Sequence, residues 1–419
     1  TVRGKVTDET GGVLPGVTVE LRGKDGMPVV AVTDGDGTYT FDNVAAGIYQ
    51  LNFSLINFAS ATHKDLVVAG GQTAVDDEQL HLSLNAEVVV VGKRTFTNLA
   101  DVENPAQDLV GIAASASQGA ITGKQLDVRP FMRQGEVLET VPGVIITQHS
   151  GDGKANQYFL RGFNLDHGTD FATYVDAMPV NLRSNAHGQG YSDLNFIIPE
   201  LVQRIDYRKG PYFADEGDFS SAGAARLSLA DTLPQGIASV TLGSYGYQRA
   251  VLADSFAVAN GRLLYGVDAG RNDGPWDTPE NVRKASALLR YSSGGVQRGY
   301  NITAMAYRNR WNATDQVPQR AVQQGLIGRY GVIDPSDGGK TDRASLSWAA
   351  HIKTADRVTE AAAYIVRSRL DLFSNFTYFL NDPVNGDQFQ QSERRTMTGA
   401  SASTAWLASW GSVDVRNKV

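Results

Sequence analysis

Between residues 233 and 419 apolar and polar side chains alternate with a period of two, and this leaves few folds open. Ala344, Leu346, Trp348, Ala350 and Ile352 share one face of a run whose other face carries Arg343, Ser345, Ser347, Ala349 and His351. In the same way Leu263, Tyr265, Val267 and Ala269 oppose Leu264, Gly266, Asp268 and Gly270. Ala285, Ala287, Leu289 and Tyr291 oppose Ser286, Leu288, Arg290 and Ser292. Successive residues of a strand point to opposite faces, so a strand between two different environments reads this way and a helix does not. Short turns at Ala259-Asn260-Gly261, Ser293-Gly294-Gly295 and Thr354-Ala355-Asp356 take turns with long polar connections at 272–283, 309–342 and 372–394. Any one of these strands would also suit a soluble sandwich. The ordered alternation of short turns and long loops points instead to a transmembrane β-barrel, with Trp276, Trp311, Phe373 and Tyr378 expected in an aromatic girdle near the long loops. The run 302–307 fits poorly, because it puts Met305 and Tyr307 on the nominally polar face.

No apolar run approaches the roughly 20 residues of a spanning helix. In lipid only helices and closed barrels satisfy the backbone, so a membrane role for this chain has to be carried by strands. Forty-four Gly and sixteen Tyr suit strands and turns, and the absence of Cys excludes disulfides, thiolate metal sites and Cys nucleophiles. The net charge of −7 is spread along the chain and leaves no basic footprint for nucleic acid.

Residues 1–84 read as all-β. Strand-like runs at 2–6, 17–22, 29–33, 38–41, 48–53 and 74–82 are separated by turn signals at Gly11-Gly12, Gly35-Asp36-Gly37 and Ala46-Gly47. A spacing of about ten residues suggests an immunoglobulin-like sandwich. Asp34, Asp36 and Asp42 raise the thought of a calcium loop, but the twelve-residue spacing is missing and turn-forming Asp beside Gly accounts for them.

The stretch 134–231 is different again. Residues 134–141 read as a short amphipathic helix with Val137, Leu138 and Val141 on one face, stopped by Pro142-Gly143. Short apolar runs follow at 144–146, 158–160, 171–175 and 201–207, split by Gly, Asn and Asp, which is the pattern of a small mixed sheet with long polar loops.

Four pieces of this stretch resemble, in order, the plug domain of TonB-dependent outer-membrane receptors. They are Val141-Pro142-Gly143-Val144, Leu160-Arg161-Gly162-Phe163, Tyr174-Val175-Asp176-Ala177-Met178-Pro179 and Arg204-Ile205-Asp206-Tyr207-Arg208-Lys209-Gly210-Pro211. The family more often has Asp-Gly at Asp176-Ala177, Arg-Gly-Pro at Lys209-Gly210-Pro211, and Tyr-Gly at Ala214-Asp215. The first segment, with Leu14-Pro15-Gly16-Val17 and a later Thr33-Asp34, resembles the carboxypeptidase regulatory-like domain, which precedes the plug in a subset of these receptors.

The resemblance implies a mainly β chain in four parts. These are a sandwich at 1–84, a linker at 85–110, a mixed α/β plug at 111–232, and at 233–419 the N-terminal part of a transmembrane antiparallel barrel. Roughly nine strands are countable there, whereas a wall around a folded plug takes about 22, so the chain is expected to be the front portion of a longer receptor. Glu87, Val88, Val89, Val90 and Val91 resemble a TonB box, a segment that adds as a strand to the energising inner-membrane partner TonB. The same valines would also fit a last strand of the sandwich, buried on both faces. Outward plug loops carrying Asp166, His167, Asp170, Arg183, His187, Gln189 and Tyr191 are implied to meet the ligand. Arg161 and Lys209 match strand-end basic positions that lock plug to barrel glutamates, which the resemblance places within 233–419 or beyond residue 419.

His149, His167 and His187 are far apart in sequence without metal-ligand spacing, and scatter is the expectation, with no metal and no cofactor. No nucleophile elbow, phosphate loop or helix-borne His pair is present, and no enzyme activity is expected. The implied function is TonB-dependent import of a scarce extracellular ligand through the outer membrane of a Gram-negative bacterium. The sandwich and plug would lie on the periplasmic side, with lipid around the barrel. The alternative is a surface-binding or signalling receptor of the same build. Chelates, cobalamin-like compounds, glycans, peptides and metal ions all use this architecture, and the front domain points mildly to glycans or peptides.

Overall fold

The computed structural model describes residues 1–23, 28–55, 58–81, 112–115, 117–149, 151–212, 215–411 and 413–419. They form two compact units, divided between Lys93 and Arg94. The TonB-box segment 87–91 lies outside the described residues.

The first unit holds eight strands: β1 (Val2–Asp8), β2 (Thr18–Gly23), β3 (Val29–Val32), β4 (Thr38–Phe41), β5 (Gly47–Ser54), β6 (Ala61–Val68), β7 (Ala74–Val75) and β8 (Glu78–Leu80). One sheet runs β3-β2-β5-β6, and in the other β1 pairs with β4, β7 and β8. Val2, Val6, Val19, Leu21, Phe41, Leu51 and Phe53 alternate inward and close a core between the sheets. The run expected at 74–82 is broken: Asp76 and Asp77 interrupt it, and Asp77 Oδ1 accepts from the Lys5 amide at 2.7 Å. β6 went unread because His63, Lys64 and Asp65 make it polar, and a sheet-edge strand can be so. The Asp34 carboxylate accepts from the Asp36 and Thr38 amides at 3.0 and 2.9 Å, a turn clamp of the kind expected of Asp beside Gly.

The second unit begins with β9 (Ile112–Ser115), β10 (Gln118–Thr122), β11 (Val144–Thr147), β12 (Gln157–Leu160), β13 (Phe163–Asn164), β14 (Phe171–Val175), β15 (Met178–Pro179), β16 (Val202–Lys209) and β17 (Gly223–Leu229). They make a mixed sheet in the order β15-β14-β17-β16-β10-β9, in which β14 and β17 run parallel, and a small sheet β11-β12-β13. The amphipathic segment Gln134–Thr140 is a 3-10 helix rather than an α-helix. Its N-terminal turn is fastened by Glu136, whose carboxylate accepts from the Arg133 amide and Arg133 Nε. Val137, Leu138 and Val141 are all fully buried.

Nine long strands follow: β18 (Ile237–Leu242), β19 (Gln248–Val258), β20 (Gly261–Asn272), β21 (Val282–Gly294), β22 (Arg298–Asn312), β23 (Gly338–Lys353), β24 (Arg357–Ser374), β25 (Phe389–Trp410) and β26 (Val413–Lys418). They pair antiparallel, each with the next, and among the described residues no pairing joins β18 to β26. Leu252, Phe256, Val267, Leu289, Leu346, Trp348, Ile352 and Ile365 are exposed on the outer face. The inner face packs on the plug: Val251, Leu264, Leu288, Met305, Tyr307 and Val366 share one buried cluster with Leu194, Phe196, Ile198 and Leu201. This explains Met305 and Tyr307. The inside of this wall is lined by a protein core, not by water, so inward positions are free to be apolar.

Trp311 also turns inward, against its expected place in a girdle. It is 4% exposed and packs with Ala155, Tyr191 and Leu372. Gly151 (φ +96°) and Gly153 make room for it, since a Cβ on either would run into the indole ring.

Candidate functional site

The loops between plug strands bring three histidines together. His149 follows β11, His167 lies between β13 and β14, and His187 and Tyr191 belong to the long loop after β15. The His149 and His167 rings stack with centroids 5.3 Å apart, and His167 meets His187 edge to face at 4.8 Å. Tyr191 lies 5.9 Å from both His167 and His187. The expectation of scatter is therefore corrected: sequence separation said nothing about loops that the sheet folds onto one another.

The protonation pattern follows from the partners. His167 Nδ1 lies 3.0 Å from the Asn156 carbonyl, which only accepts, so Nδ1 carries the proton. His187 Nδ1 lies 2.8 Å from Gln391 Oε1 on β25. Gln391 Nε2 donates to the Ala186 carbonyl at 2.9 Å, which fixes the amide and makes His187 Nδ1 the donor as well. Burial pushes His167 down to about 4, helped by the Lys154 ammonium; His149 and His187 shift the same way for the same two reasons. Lys154 is itself 1% exposed, and burial lowers its ammonium to about 8. Tyr191 accepts from the Ala155 amide at 2.8 Å and keeps its own hydroxyl proton to donate. The cluster thus presents neutral imidazoles and a phenol beside one buried cation. Among the described residues no group of three or more His, Asp or Glu is placed to hold a metal ion.

A cleft of 680 Å³ opens beside this cluster, between plug residues including Arg133, His149 and Asp152 and the barrel's long loops at Trp276, Glu280, Asp315 and Arg329. Burial, with the neighbouring Asp152 charge, pushes Glu280 up to about 7, and burial raises Asp152 too.

The other expected site residues divide. Asp166 stays with the cluster, 3.7 Å from His167 Nε2, on a left-handed backbone (φ +49°). Gln189 is exposed on the loop that carries His187. Arg183 leaves the cluster and pairs with Asp218 at 3.2 Å, both largely exposed. Asp170 accepts from Thr169 Oγ1 at 2.7 Å and from Ser221 Oγ. Lys154, Asn156 and Gln391 gave no signal in the sequence. Nor did Asn181, which is buried and ties β14 to two loops: its Oδ1 accepts from the Thr173 amide, and its Nδ2 donates to the Gly168, Phe171 and Gly190 carbonyls at 2.8 to 3.2 Å.

Among the described residues neither Arg161 nor Lys209 meets a barrel glutamate. Lys209 Nζ donates to the Pro142 carbonyl at 3.3 Å, and Arg161 is exposed. Among the described residues plug and wall are joined by wall arginines on plug carboxylates. Arg249 on β19 holds plug Glu200 with two bonds of 2.6 and 2.9 Å, while its Nη2 also donates to Asp268 of β20 at 2.8 Å. Arg290 on β21 reaches plug Asp176 at 2.6 Å and Asp231 at 2.7 Å. Arg395 on β25 donates to the Ser184 carbonyl at 2.6 Å.

Comparison with known proteins places these observations. Residues 1–81 match the Carboxypeptidase regulatory-like domain, and residues 111–224 match the TonB-dependent Receptor Plug Domain. The siderophore receptor PiuA from Acinetobacter baumannii superposes with a TM-score of 0.55 at 14% identity, over 74% of this chain and 47% of PiuA. The ferric yersiniabactin uptake receptor FyuA from Yersinia pestis gives 0.55 at 16%, over 73% of this chain and 48% of FyuA. The unliganded ferric citrate transporter FecA gives 0.58 at 12%, over 75% and 46%. The chain thus spans about half the length of these receptors, and at such identities the likeness is one of fold: a β-barrel wall with a plug. No helix among the described residues is long and apolar enough to cross a membrane. A family plug seated on the inner face of that wall, with a carboxypeptidase regulatory-like domain ahead of it in sequence, makes the chain similar in build to the TonB-dependent receptors.

Proposed function

We propose that the whole receptor imports a scarce polar organic ligand, free or as a chelate, across the outer membrane, driven by TonB. The ligand enters from the long-loop side and contacts the cluster of His149, His167, His187 and Tyr191 together with the cleft beside it. The observation that carries this reading is the link from cluster to wall: His187 is bonded to Gln391 of β25, so a ligand that moves His187 is felt by plug and barrel together. Neutral imidazole Nε2 atoms accept from ligand hydroxyls, Tyr191 donates, and Lys154 favours an anionic group. Solved relatives of this fold are receptors for ferric citrate and ferric yersiniabactin, which are chelates of that character.

In this orientation the short turns, the plug's lower end and the N-terminal sandwich face the periplasm. Residues 87–91 supply the strand that TonB pairs with. No bond of the ligand is broken, and the chain acts as a transporter rather than an enzyme.

The test uses cells expressing the full-length receptor, supplied with radio-iron as citrate and catecholate chelates and with labelled oligosaccharides. One of these should accumulate, and deletion of 87–91 should abolish its uptake while leaving its surface binding intact. Uptake that persists after the deletion removes the energised step, and binding without uptake in the intact receptor makes the protein a surface receptor.

A further inference from the structure

The cleft beside the histidines holds negative charge that nothing in the protein neutralises. Three carboxylates line it from three separate elements. Asp152 comes from the plug loop between β11 and β12, Glu280 from the loop between β20 and β21, and Asp315 from the loop between β22 and β23. Glu280 is 7% exposed and Asp315 6%. Among the described residues none of the three forms an ion pair. Of the basic side chains on the same cleft, Arg133 is held by Glu136 at 2.9 Å, and Arg329 is exposed.

Asp315 is fixed in place with one oxygen left over. Its Oδ2 accepts from the Asn375 amide at 2.9 Å, while its Oδ1 has no hydrogen-bond partner. Asp337, 2% exposed, adjoins it with Oδ2 likewise unpartnered, so a second carboxylate backs this wall. Buried carboxylates without a counter-ion hold their protons more tightly, which is why Glu280 stands near 7 and Asp152 is raised. A cation brought in from outside relieves that burden.

The geometry also says which kind of cation. Among the described residues no three acids converge closely enough to hold a metal ion. The carboxylates stand instead around a space of 680 Å³, the size for an organic group rather than a bare ion. Trp276 shares the wall: its indole N–H bonds the Glu280 carboxylate, and its ring lies 6.1 Å from that of Tyr330. Aromatic faces attract organic ammonium groups, whereas a calcium or magnesium site is built of oxygen ligands. An ammonium brings three N–H donors to carboxylates that only accept.

We infer that the cleft is an amine subsite: the ligand carries a primary ammonium group, which Asp152, Glu280 and Asp315 hold beside Trp276. The inference rests on the ligand site proposed above and deepens it. Lys154 and the imidazoles take hydroxyls or an acidic group at one end, and the carboxylates take the amine at the other. Acetylating that amine removes its charge and two of its N–H donors, so the acetylated ligand is rejected.

The experiment is titration calorimetry of the purified full-length receptor in detergent at pH 7. The probes are pairs that differ only in the amine: ferrioxamine B with its N-acetyl derivative, and trilysine with its side-chain-acetylated form. Calcium chloride serves as the bare cation. The amine member of at least one pair should bind, roughly tenfold or more tighter than its acetylated partner. Run in buffers of different ionisation heat, the same titration should show protons leaving the receptor, because Glu280 gives up the proton it holds near pH 7. Glu280→Gln/Asp315→Asn keeps both shapes and should erase the preference and the proton release at an unchanged melting temperature. Equal affinity within each pair, no binding of either amine, calcium binding that excludes the amine, or a preference that survives the variant overturns the inference. Import is read separately by uptake. Amine binding without uptake sinks import alone, and uptake of a neutral ligand with no amine preference sinks the subsite alone.

Discussion

Arg249 offers a measurable account of how the plug is held. Its guanidinium is bidentate to Glu200 on the plug and also bonds Asp268, a carboxylate 1% exposed on the neighbouring strand. Replacing Arg249 with Met keeps much of the volume and removes the charge. Asp268 then retains a single side-chain donor, Gln134 Nε2 at 3.2 Å, inside a dry interface. Breaking a buried pair in this way costs about 3–5 kcal/mol, most of it the orphaned carboxylate. Glu200 is 30% exposed and is re-solvated more cheaply, so Glu200→Gln should cost about 1 kcal/mol. The assay is hydrogen exchange of the β16 amides in the full-length receptor in lipid, where opening of the plug from the wall limits exchange. Arg249→Met should speed exchange by ~100- to 3000-fold. The double variant Arg249→Met/Asp268→Leu removes the orphan and should recover most of that loss. A double variant that exchanges as fast as Arg249→Met would refute the reasoning, because the cost would then lie in lost packing and not in the stranded charge.

Other expectations follow from single contacts. A Cβ on Gly153 meets the Trp311 indole, so Gly153→Ala should loosen the seat of the plug by about 1–3 kcal/mol, read as faster exchange in 147–157; unchanged exchange there would mean Trp311 does not bear on this loop. His167 titrates near 4 in the folded protein and near 6.5 unfolded, so the penalty is absent above 6.5 and grows as pH falls; at pH 5 it reaches about 2 kcal/mol, seen as loosened exchange in 165–191 that His167→Gln removes. The front sandwich has the opposite sign. His63 sits between Asp76 and Glu78 and its pKa is raised, so that stability is full below 6.5 and is lost as pH rises through the folded value; the sandwich should melt lower at pH 8.5 than at 5.5, and His63→Gln should flatten the difference. Asn181→Ala removes the acceptor of the buried Thr173 amide and a donor to three carbonyls, and should cost about 2–4 kcal/mol in plug stability by urea-dependent exchange.

What the sequence shows and hides here has one physical cause. Period-two alternation reports which face of a strand is turned outward, and it located the wall because that face stays apolar from strand to strand: Leu346, Trp348 and Ile352 face out. It cannot report what fills the inside. Met305, Tyr307 and Trp311 looked misplaced or interfacial because the rule of polar inward residues assumes a wet lumen, and here the lumen side is covered by Leu194, Phe196 and Ile198. The motifs at 141–144, 160–163, 174–179 and 204–211 are local, so they identified the plug without its docking. Docking depends on which residues meet across long sequence separations, 49 positions for Arg249 with Glu200 and 114 for Arg290 with Asp176. So the plug motifs single out Arg161 and Lys209, whereas the pairs that join plug and wall among the described residues, Arg249 with Glu200 and Arg290 with Asp176, carry no local signal. In both pairs the cation stands on the wall, where the β ladder aims its fork, and the carboxylate on the plug. The histidines show the same limit: nothing in a spacing of 18 and 20 residues between 149, 167 and 187 says that the loops after β11, β13 and β15 lie side by side, yet His167 ends up 5.3 Å from His149 and 4.8 Å from His187 by ring centroids.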